Sequence, residues 1–374
     1  MEFSPERLLA MRRSVQAVPE DSETVVLISR SGASIRLTMP GFPLLEIVES
    51  IQAGTTFADL VARFFPEERG DAGRLLAVLH AHGLITNPVS PDTLPPPADR
   101  ERFDRLIAYF GEFETSTASR YDYFTGLRDA HVIFVGLGSM TSWILGHLVA
   151  SGVGRITGID DDRVALSNLA RQAFFTEADV GLPKVDATKA GVYRLSTLTD
   201  FQPMTRAIGS PDDALDVLRQ IGSADLVILT ADQPLWLIAD WTSQACARLR
   251  LPLLRANVHG VGPIKITAES ACPACELYAL RESPGAERLL TYRAGPSYRS
   301  AYNSATISTE IAIQGAVAAH EAIGLLTGAW PPLSVGQRLR ATPRPQLMVD
   351  RKPVSKHPDC VACRLSDETR TQGM

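Results

Sequence analysis

The sequence predicts an α/β chain: a large Rossmann-like strand–turn–helix domain over residues 101–374, preceded by a small α+β domain over 1–90 and a proline-rich linker at 91–100. Three observations carry that reading. His131-Val-Ile-Phe-Val135 is a buried-strand pattern that ends in glycine and gives way to a proline-free helical segment. Prolines crowd Asn87–Ala98, removing backbone donors and stiffening the chain as a linker does. Ahead of them, a hairpin pattern is followed by three short helical patterns.

In the small domain, Thr24–Ser29 and Ser34–Thr38 read as two strands around a turn at Arg30–Ala33. Phe42–Ser50 fits a helix. Phe57–Phe65 fits a second, with Thr56 placed to cap it. Ala72–His82 carries Leu75, Leu76, Val78 and Leu79 at helical spacing, and Gly83–Ile85 returns to a strand. A hairpin, three helices and a closing strand suggest a small winged-helix domain. Residues 1–95 hold eight arginines, no lysine and twelve acids, and the whole chain has a net charge of −5. A reader of nucleic acid needs a basic face, so no nucleic-acid partner is expected.

In the large domain, Gly136-Leu-Gly138-Ser-Met-Thr141 opens a helix over Ser142–Ser151. Backbone N–H groups approach a phosphate there only where side chains are absent, hence Gly136 and Gly138. Ile156–Asp160 is the next strand, and Asp160 ends it where a carboxylate accepts from ribose hydroxyls, with Asp162 nearby. Thr141 stands where a nicotinamide-binding turn has its third glycine. Arg171 and Lys184 follow, a planar fork of donors and a point charge. Hydride transfer has no use for that pair, whereas a triphosphate does. The expected ligand is therefore a nucleoside triphosphate.

Five cysteines are present. Cys272-Pro-Ala-Cys275 and Cys360-Val-Ala-Cys363 are two knuckles, each able to hold one zinc with two thiolates. Four thiolates close a tetrahedron and leave no position for water, so a structural zinc is expected, stapling the C-terminal tail to the domain. The alternative is redox pairs or disulfides, which a reducing compartment disfavours. Cys246 lies within a helical pattern over Trp236–Arg250 and reads as a small buried hydrophobe rather than a nucleophile.

Residues 131–186 resemble the ThiF/MoeB adenylyltransferases, relatives of the ubiquitin-activating enzymes. That family continues its glycine turn with D-x-D, SNLxRQ and VGxxK, matched here by Asp160–Asp162, Ser167–Gln172 and Val180–Lys184. The resemblance extends to about residues 100–365. It implies a Rossmann-like ThiF/MoeB adenylation domain with paired cysteine knuckles. It also implies that Asn168, Arg171 and Lys184 hold the triphosphate, and that Asp232, at the end of the strand-like run Ala224–Asp232, holds magnesium. A carboxylate ending a buried strand is costly unless paired or metal-bound, which points the same way. Arg102-Phe-Asp-Arg105 resembles the segment whose second arginine enters the partner subunit's active site, implying a homodimer completed by Arg105. The departures are Ser139 and Thr141 for glycines, Gln233 for asparagine and Leu106 for glutamine. Glu282–Asn303 corresponds in that family to a crossover loop, where Arg288, Arg293 and Arg299, with Arg281 just before it, would meet an acidic peptide; a disordered surface loop is the other reading.

The small domain resembles the PqqD-type modules that bind leader segments of ribosomally made peptides. Joined to an adenylating domain, it is similar to the peptide maturases of microcin C and pantocin. The resemblance implies ATP-dependent adenylation of a carboxylate, a glutamate side chain above all, in a ribosomal precursor peptide, followed by ring closure within it. Two other readings stay open: an adenylyltransferase acting on a ubiquitin-like sulfur carrier, and a non-catalytic leader-binding scaffold. No apolar run approaches the roughly 20 residues that span a bilayer, and Met-Glu-Phe-Ser-Pro-Glu is no signal-peptide start. A cytoplasmic protein without a membrane partner is expected.

Overall fold

The structure is a computed structural model and describes residues 5–29, 34–67, 69–87, 89–115, 117–286, 288, 306–342 and 348–371. The chain divides after Thr125 into two compact units.

In the N-terminal unit, β1 (Leu8–Leu9), β2 (Gln16–Pro19), β3 (Thr24–Ile28) and β4 (Ser34–Thr38) precede α1 (Leu44–Ala53), β5 (Thr55–Thr56), α2 (Phe57–Phe64) and α3 (Arg69–Ala81). The expected hairpin is β3–β4, antiparallel with Val26 opposite Arg36; its turn at 30–33 lies outside the described residues. β2 adds a third antiparallel strand, Val18 opposite Val26. The sequence hid it because Gln16–Pro19 is mostly exposed and carries no alternation. Gly83–Ile85 forms no strand, only a single bridge from Ile85 to Met11. Leu44, Ile47, Val48 and Ile51 recur at helical spacing along α1 and are buried, as are Leu75, Leu76 and Leu79 on α3. Each such side chain contributes about 1.5–3 kcal/mol by leaving water. The Thr56 hydroxyl accepts from the Asp59 N–H at 3.0 Å, the expected cap. The proline-rich stretch forms a 3-10 turn at Pro91–Thr93 and helix α4 (Pro97–Arg102), followed by α5 (Asp104–Phe110). Helix α6 (Arg120–Asp129) spans the division.

The C-terminal unit is built on one eight-stranded sheet. Its strands are β6 (His131–Val135), β7 (Arg155–Ile159), β8 (Asp200–Met204), β9 (Leu226–Leu229), β10 (Leu253–Asn257), β11 (Gly260–Lys265), β12 (Gln337–Thr342) and β13 (Met348–Pro353). They lie in the order β13-β12-β11-β10-β9-β6-β7-β8. The five strands from β10 to β8 are parallel, and β11, β12 and β13 extend the sheet antiparallel. The helices are α7 (Ser139–Ala150), α8 (Lys184–Leu195), α9 (Pro211–Ile221), α10 (Leu237–Leu249), α11 (Cys275–Arg281), α12 (Ser308–Thr327) and α13 (Val361–Thr371). β6 and β9 are buried along their whole length, as strands covered on both faces must be. α12 approaches α7 so closely that a Cβ on Gly315 would lie 2.6 Å from that of Trp143. This is the Rossmann-like α/β fold the sequence predicts. The chain crosses from one side of β6 to the other before β9, and in open parallel sheets ligands bind at that reversal, beyond the strands' carboxyl ends.

Among the described residues, no helix is long and apolar enough to cross a membrane.

Candidate active site

The glycine turn lies at the reversal, and its two glycines differ. Gly136 has φ +96°, and a Cβ there would stand 2.6 Å from the Ala231 amide nitrogen, so this glycine lets the ends of β6 and β9 approach. Gly138 has nothing within 4 Å of where a Cβ would project, and that open space belongs to a cavity. α7 begins at Ser139, three residues earlier than its apolar pattern suggested, with Gly138 as an N-cap that offers no side-chain acceptor. The first N–H groups of α7 are thus left for a ligand. Thr141 does not hold α7 away. Its hydroxyl donates to the Gly136 carbonyl at 2.6 Å and lies 2.6 Å from the Thr230 hydroxyl, tying α7 to the ends of β6 and β9.

Two neighbouring cavities open there. The first, about 690 Å³, is lined by Gly136, Gly138, Asp160, Asp162, Lys184 and Asp232, with Arg206, Ile208 and Ile238 among the remaining walls. The second, about 460 Å³, shares Gly138, Lys184, Thr230 and Asp232 with the first and adds Asn168, Arg171 and Thr306. Residues drawn from five separate stretches of sequence therefore converge on one cleft.

Asp160 accepts from the Leu137 N–H at 2.6 Å and the Asp162 N–H at 2.8 Å, so its carboxylate also holds the glycine turn in shape. An ionised carboxylate has about four acceptor positions, which leaves room for ribose hydroxyls. Loss of water pushes its carboxyl up, against the opposing pull of Lys184 and the two backbone donors. Lys184, the first residue of α8, reaches Asp162 at 2.7 Å and Asp160 at 4.0 Å. Arg171 donates to the Thr306 hydroxyl at 3.1 Å, and its carbonyl accepts from the Trp143 indole. Asn168 accepts from the Ala165 N–H at 3.1 Å and closes the 3-10 turn Leu166–Asn168.

Asp232 does not end a buried strand, as its sequence pattern suggested. β9 ends at Leu229, and Asp232 is an exposed residue of the loop beyond, facing both cavities. The cost of a buried carboxylate is therefore no argument for a metal there. What supports one is the surroundings. The cleft walls push its carboxyl up, while Lys184 and Arg171 are close enough to pull it down. An oxygen ligand facing a phosphate-sized cleft suits magnesium.

Arg105 belongs to the N-terminal unit, on α5, with its side chain 95% exposed and its guanidinium 3.9 Å from Asp104. Arg281 lies over the Tyr278 ring and Arg288 is exposed, while Arg293 and Arg299 lie outside the described residues.

Sequence reasoning missed part of the wall of the second cavity, which Arg255 from β10, Arg338 from β12 and Trp236 line. Arg255 is 6% exposed, with its guanidinium 5.4 Å from the Trp236 ring centre. Burial, reinforced by the like charge of Arg338, pushes Arg255 down to about 10. Both guanidinia donate to one oxygen of Glu276, Arg255 at 3.4 Å and Arg338 closer. Arg255 stands between the apolar residues Leu254 and Ala256 of β10, a signal the sequence does carry, since such charges are seldom buried without a partner.

The four knuckle cysteines converge in the C-terminal unit. Cys272 lies 3.8 Å from Cys275 and 3.5 Å from Cys360, and Cys275 lies 3.5 Å from Cys363, sulfur to sulfur. These are not disulfide distances. A tetrahedral zinc with bonds near 2.3 Å needs sulfur edges of about 3.8 Å, so the set fits that ion. Lys265 stands 3.9 Å from Cys363, and the His357 N–H donates to Cys275 at 3.5 Å, both suited to thiolates. Cys246 is 2% exposed inside the α9–α10 core, where burial pushes its thiol well up.

Comparison with known proteins agrees with this architecture. The ThiF family profile matches residues 114–362. Molybdopterin-synthase adenylyltransferase of Escherichia coli K12 is 26% identical over 215 residues, covering 57% of this chain and 80% of that protein. E. coli MccB with ATP superposes with a TM-score of 0.67 at 18% identity, over 95% of this chain and 99% of that one. The microcin C7 biosynthetic enzyme MccB in complex with N-formylated MccA gives 0.68 at 18%, with the same coverage. PaaA gives 0.68 at 19%, over 92% of this chain and 99% of that one.

Proposed function

The chain belongs to the ThiF family, and on that premise we propose that it adenylates a carboxylate of a ribosomally made precursor peptide, a glutamate side chain above all. The observation that carries the reading is the convergence of the glycine turn, Asp160, Lys184, Arg171 and Asp232 on two adjoining cavities at the sheet's reversal. The fold shared with MccB and PaaA, one of them solved with ATP and with N-formylated MccA, supports a peptide substrate.

Each residue then has a task. Asp160, aided by Asp162, accepts from the ribose hydroxyls. The open space at Gly138 and the first N–H groups of α7 receive phosphate oxygens. Lys184 leaves Asp162 for the phosphates, joined by Arg171 and Asn168, and these neutralise charge on the departing pyrophosphate. Asp232 would hold magnesium, a hard cation that would supply positive charge against the phosphates. Arg105 enters from the second subunit of a homodimer. A substrate carboxylate oxygen attacks the α-phosphorus, the bond to the β-phosphate breaks, and pyrophosphate leaves. A nucleophile in the same peptide then attacks the acyl adenylate, closes a ring and releases AMP. The chain supplies orientation rather than a nucleophile, in keeping with a buried Cys246. The N-terminal unit, read as a winged-helix module, recognises the leader by adding it as a strand to a sheet edge.

The test is ATP–pyrophosphate exchange with magnesium and the precursor peptide encoded beside this chain, with a leaderless peptide as control. Exchange that requires the full peptide is the expected result. Peptide binding without exchange would replace this reading by a scaffold, or, if ADP accumulates, by a phosphorylating activator. Exchange with a sulfur carrier ending in Gly-Gly, and none with peptide, would replace it by the activity named for the molybdopterin-synthase relative.

A further inference from the structure

The two cavities differ in charge. The first is walled by four aspartates against Lys184 and Arg206. The second has Arg171, Lys184, Arg255 and Arg338 against Asp232 alone among the described residues. Arg171 and Lys184 stand at its nucleotide end. Arg255 and Arg338 line only the second cavity and reach it from β10 and β12, beyond β9 from the glycine turn.

Within the protein these two guanidinia share one carboxylate, that of Glu276, leaving one positive charge in excess. Arg255 is almost wholly out of water, and burying an uncompensated charge is costly. The Nε of Arg338 and the indole nitrogen of Trp236 are buried with no partner among the described residues. The residues that carry these unpartnered nitrogens and the one spare charge thus line a chamber that adjoins the nucleotide cleft.

We propose that Arg255 and Arg338 are specificity-determining residues that receive a carboxylate of the substrate other than the one being activated, so that the second cavity selects an acidic substrate. The inference rests on the adenylation reading, which supplies the activated carboxylate at the α-phosphorus. A guanidinium matches a carboxylate with two parallel hydrogen bonds, and a pair already drawn together by Glu276 loses little freedom on binding one. Glu276 sets their position and competes with the incoming anion.

The test uses the full chain loaded with magnesium and α,β-methylene-ATP. N-acetylglutamate is the dicarboxylate probe and N-acetylglutamine its single-carboxylate control, with binding followed by the indole NMR signal of Trp236. The expected result is that N-acetylglutamate binds about 10-fold more tightly than the control, the scale of one hydrogen-bonded charge pair. Arg255→Gln or Arg338→Gln should erase that preference, and Glu276→Gln should widen it. Melting temperature and zinc content verify that each variant is folded; Arg338→Gln carries the comparison alone if Arg255→Gln does not fold. Equal binding of the two probes, no binding of either, or a preference that survives Arg338→Gln overturns the proposal. Weaker nucleotide binding in Arg338→Gln would assign the pair to a phosphate of ATP, which also overturns it. Failure of the wild-type chain to bind nucleotide would instead remove the adenylation reading beneath it.

Discussion

Gly136 and Gly138 stand two residues apart and answer to different constraints. A methyl on Gly136 meets the backbone of Ala231 at a positive φ, whereas a methyl on Gly138 meets only the cavity. Gly136→Ala is expected to cost about 3 kcal/mol or more of stability. Gly138→Ala should leave the melting temperature unchanged and weaken ATP binding, and nucleotide titration beside thermal unfolding separates the two. The carboxyl of Asp160 is pushed up by its loss of water. A raised carboxyl takes its proton at higher pH, and ATP binding that needs Asp160 ionised declines as pH falls through that raised range. For the fold the sign is opposite. The folded state holds this proton more tightly than the unfolded chain, so acidification through that window relieves a cost. ATP affinity is therefore expected to fall with pH before stability does. A decline that begins only near the ordinary aspartate pKa of about 3.9 would contradict this.

At the scale of elements, the zinc-sized cysteine cluster joins the start of α11 to the start of α13. Glu276, the second residue of α11, carries that placement to the arginines of β10 and β12. Removing the metal should therefore do more than loosen the tail. Cys272→Ser is expected to lower stability by more than about 3 kcal/mol, since metal binding free energy is folding free energy. Weaker binding of the dicarboxylate probe should accompany it. One zinc per chain by atomic absorption, absent in the variant, is the direct measurement. A variant that unfolds at the wild-type denaturant concentration would show that the knuckles close without metal. In the N-terminal unit, Thr56→Ala removes the α2 cap and should cost about 1 kcal/mol.

At the scale of the whole molecule, a homodimer completed by Arg105 makes a prediction that no local measurement does. Arg105→Ala and Asp232→Ala chains should each be inactive alone. Mixed under exchanging conditions, half the dimers are mixed and each has one intact site, so about a quarter of wild-type exchange activity should return. No recovery would mean that Arg105 acts within its own chain or not at all. Much of the large unit was legible beforehand because its signals are local. A buried β-strand running into Gly136, a carboxylate ending the next strand at Asp160 and two cysteine knuckles are each written within a few residues. β2 was not legible, because an exposed edge strand has little apolar pattern to show. Asp232 does line the cleft, though the burial argument for it failed once β9 proved to end at Leu229.

By itself, then, the sequence determined which residues gather at the cleft from the glycine turn, the strand and helix periods that carry them, and a four-cysteine cluster of a size that fits zinc. Only the tertiary structure decided what stands opposite. Arg255, Glu276 and Arg338 are far apart in sequence and share no spacing or motif. They meet because β12 returns antiparallel to β11 and brings Arg338 to the carboxylate that Arg255 already holds. Such contacts follow from sheet order, which local pattern does not encode.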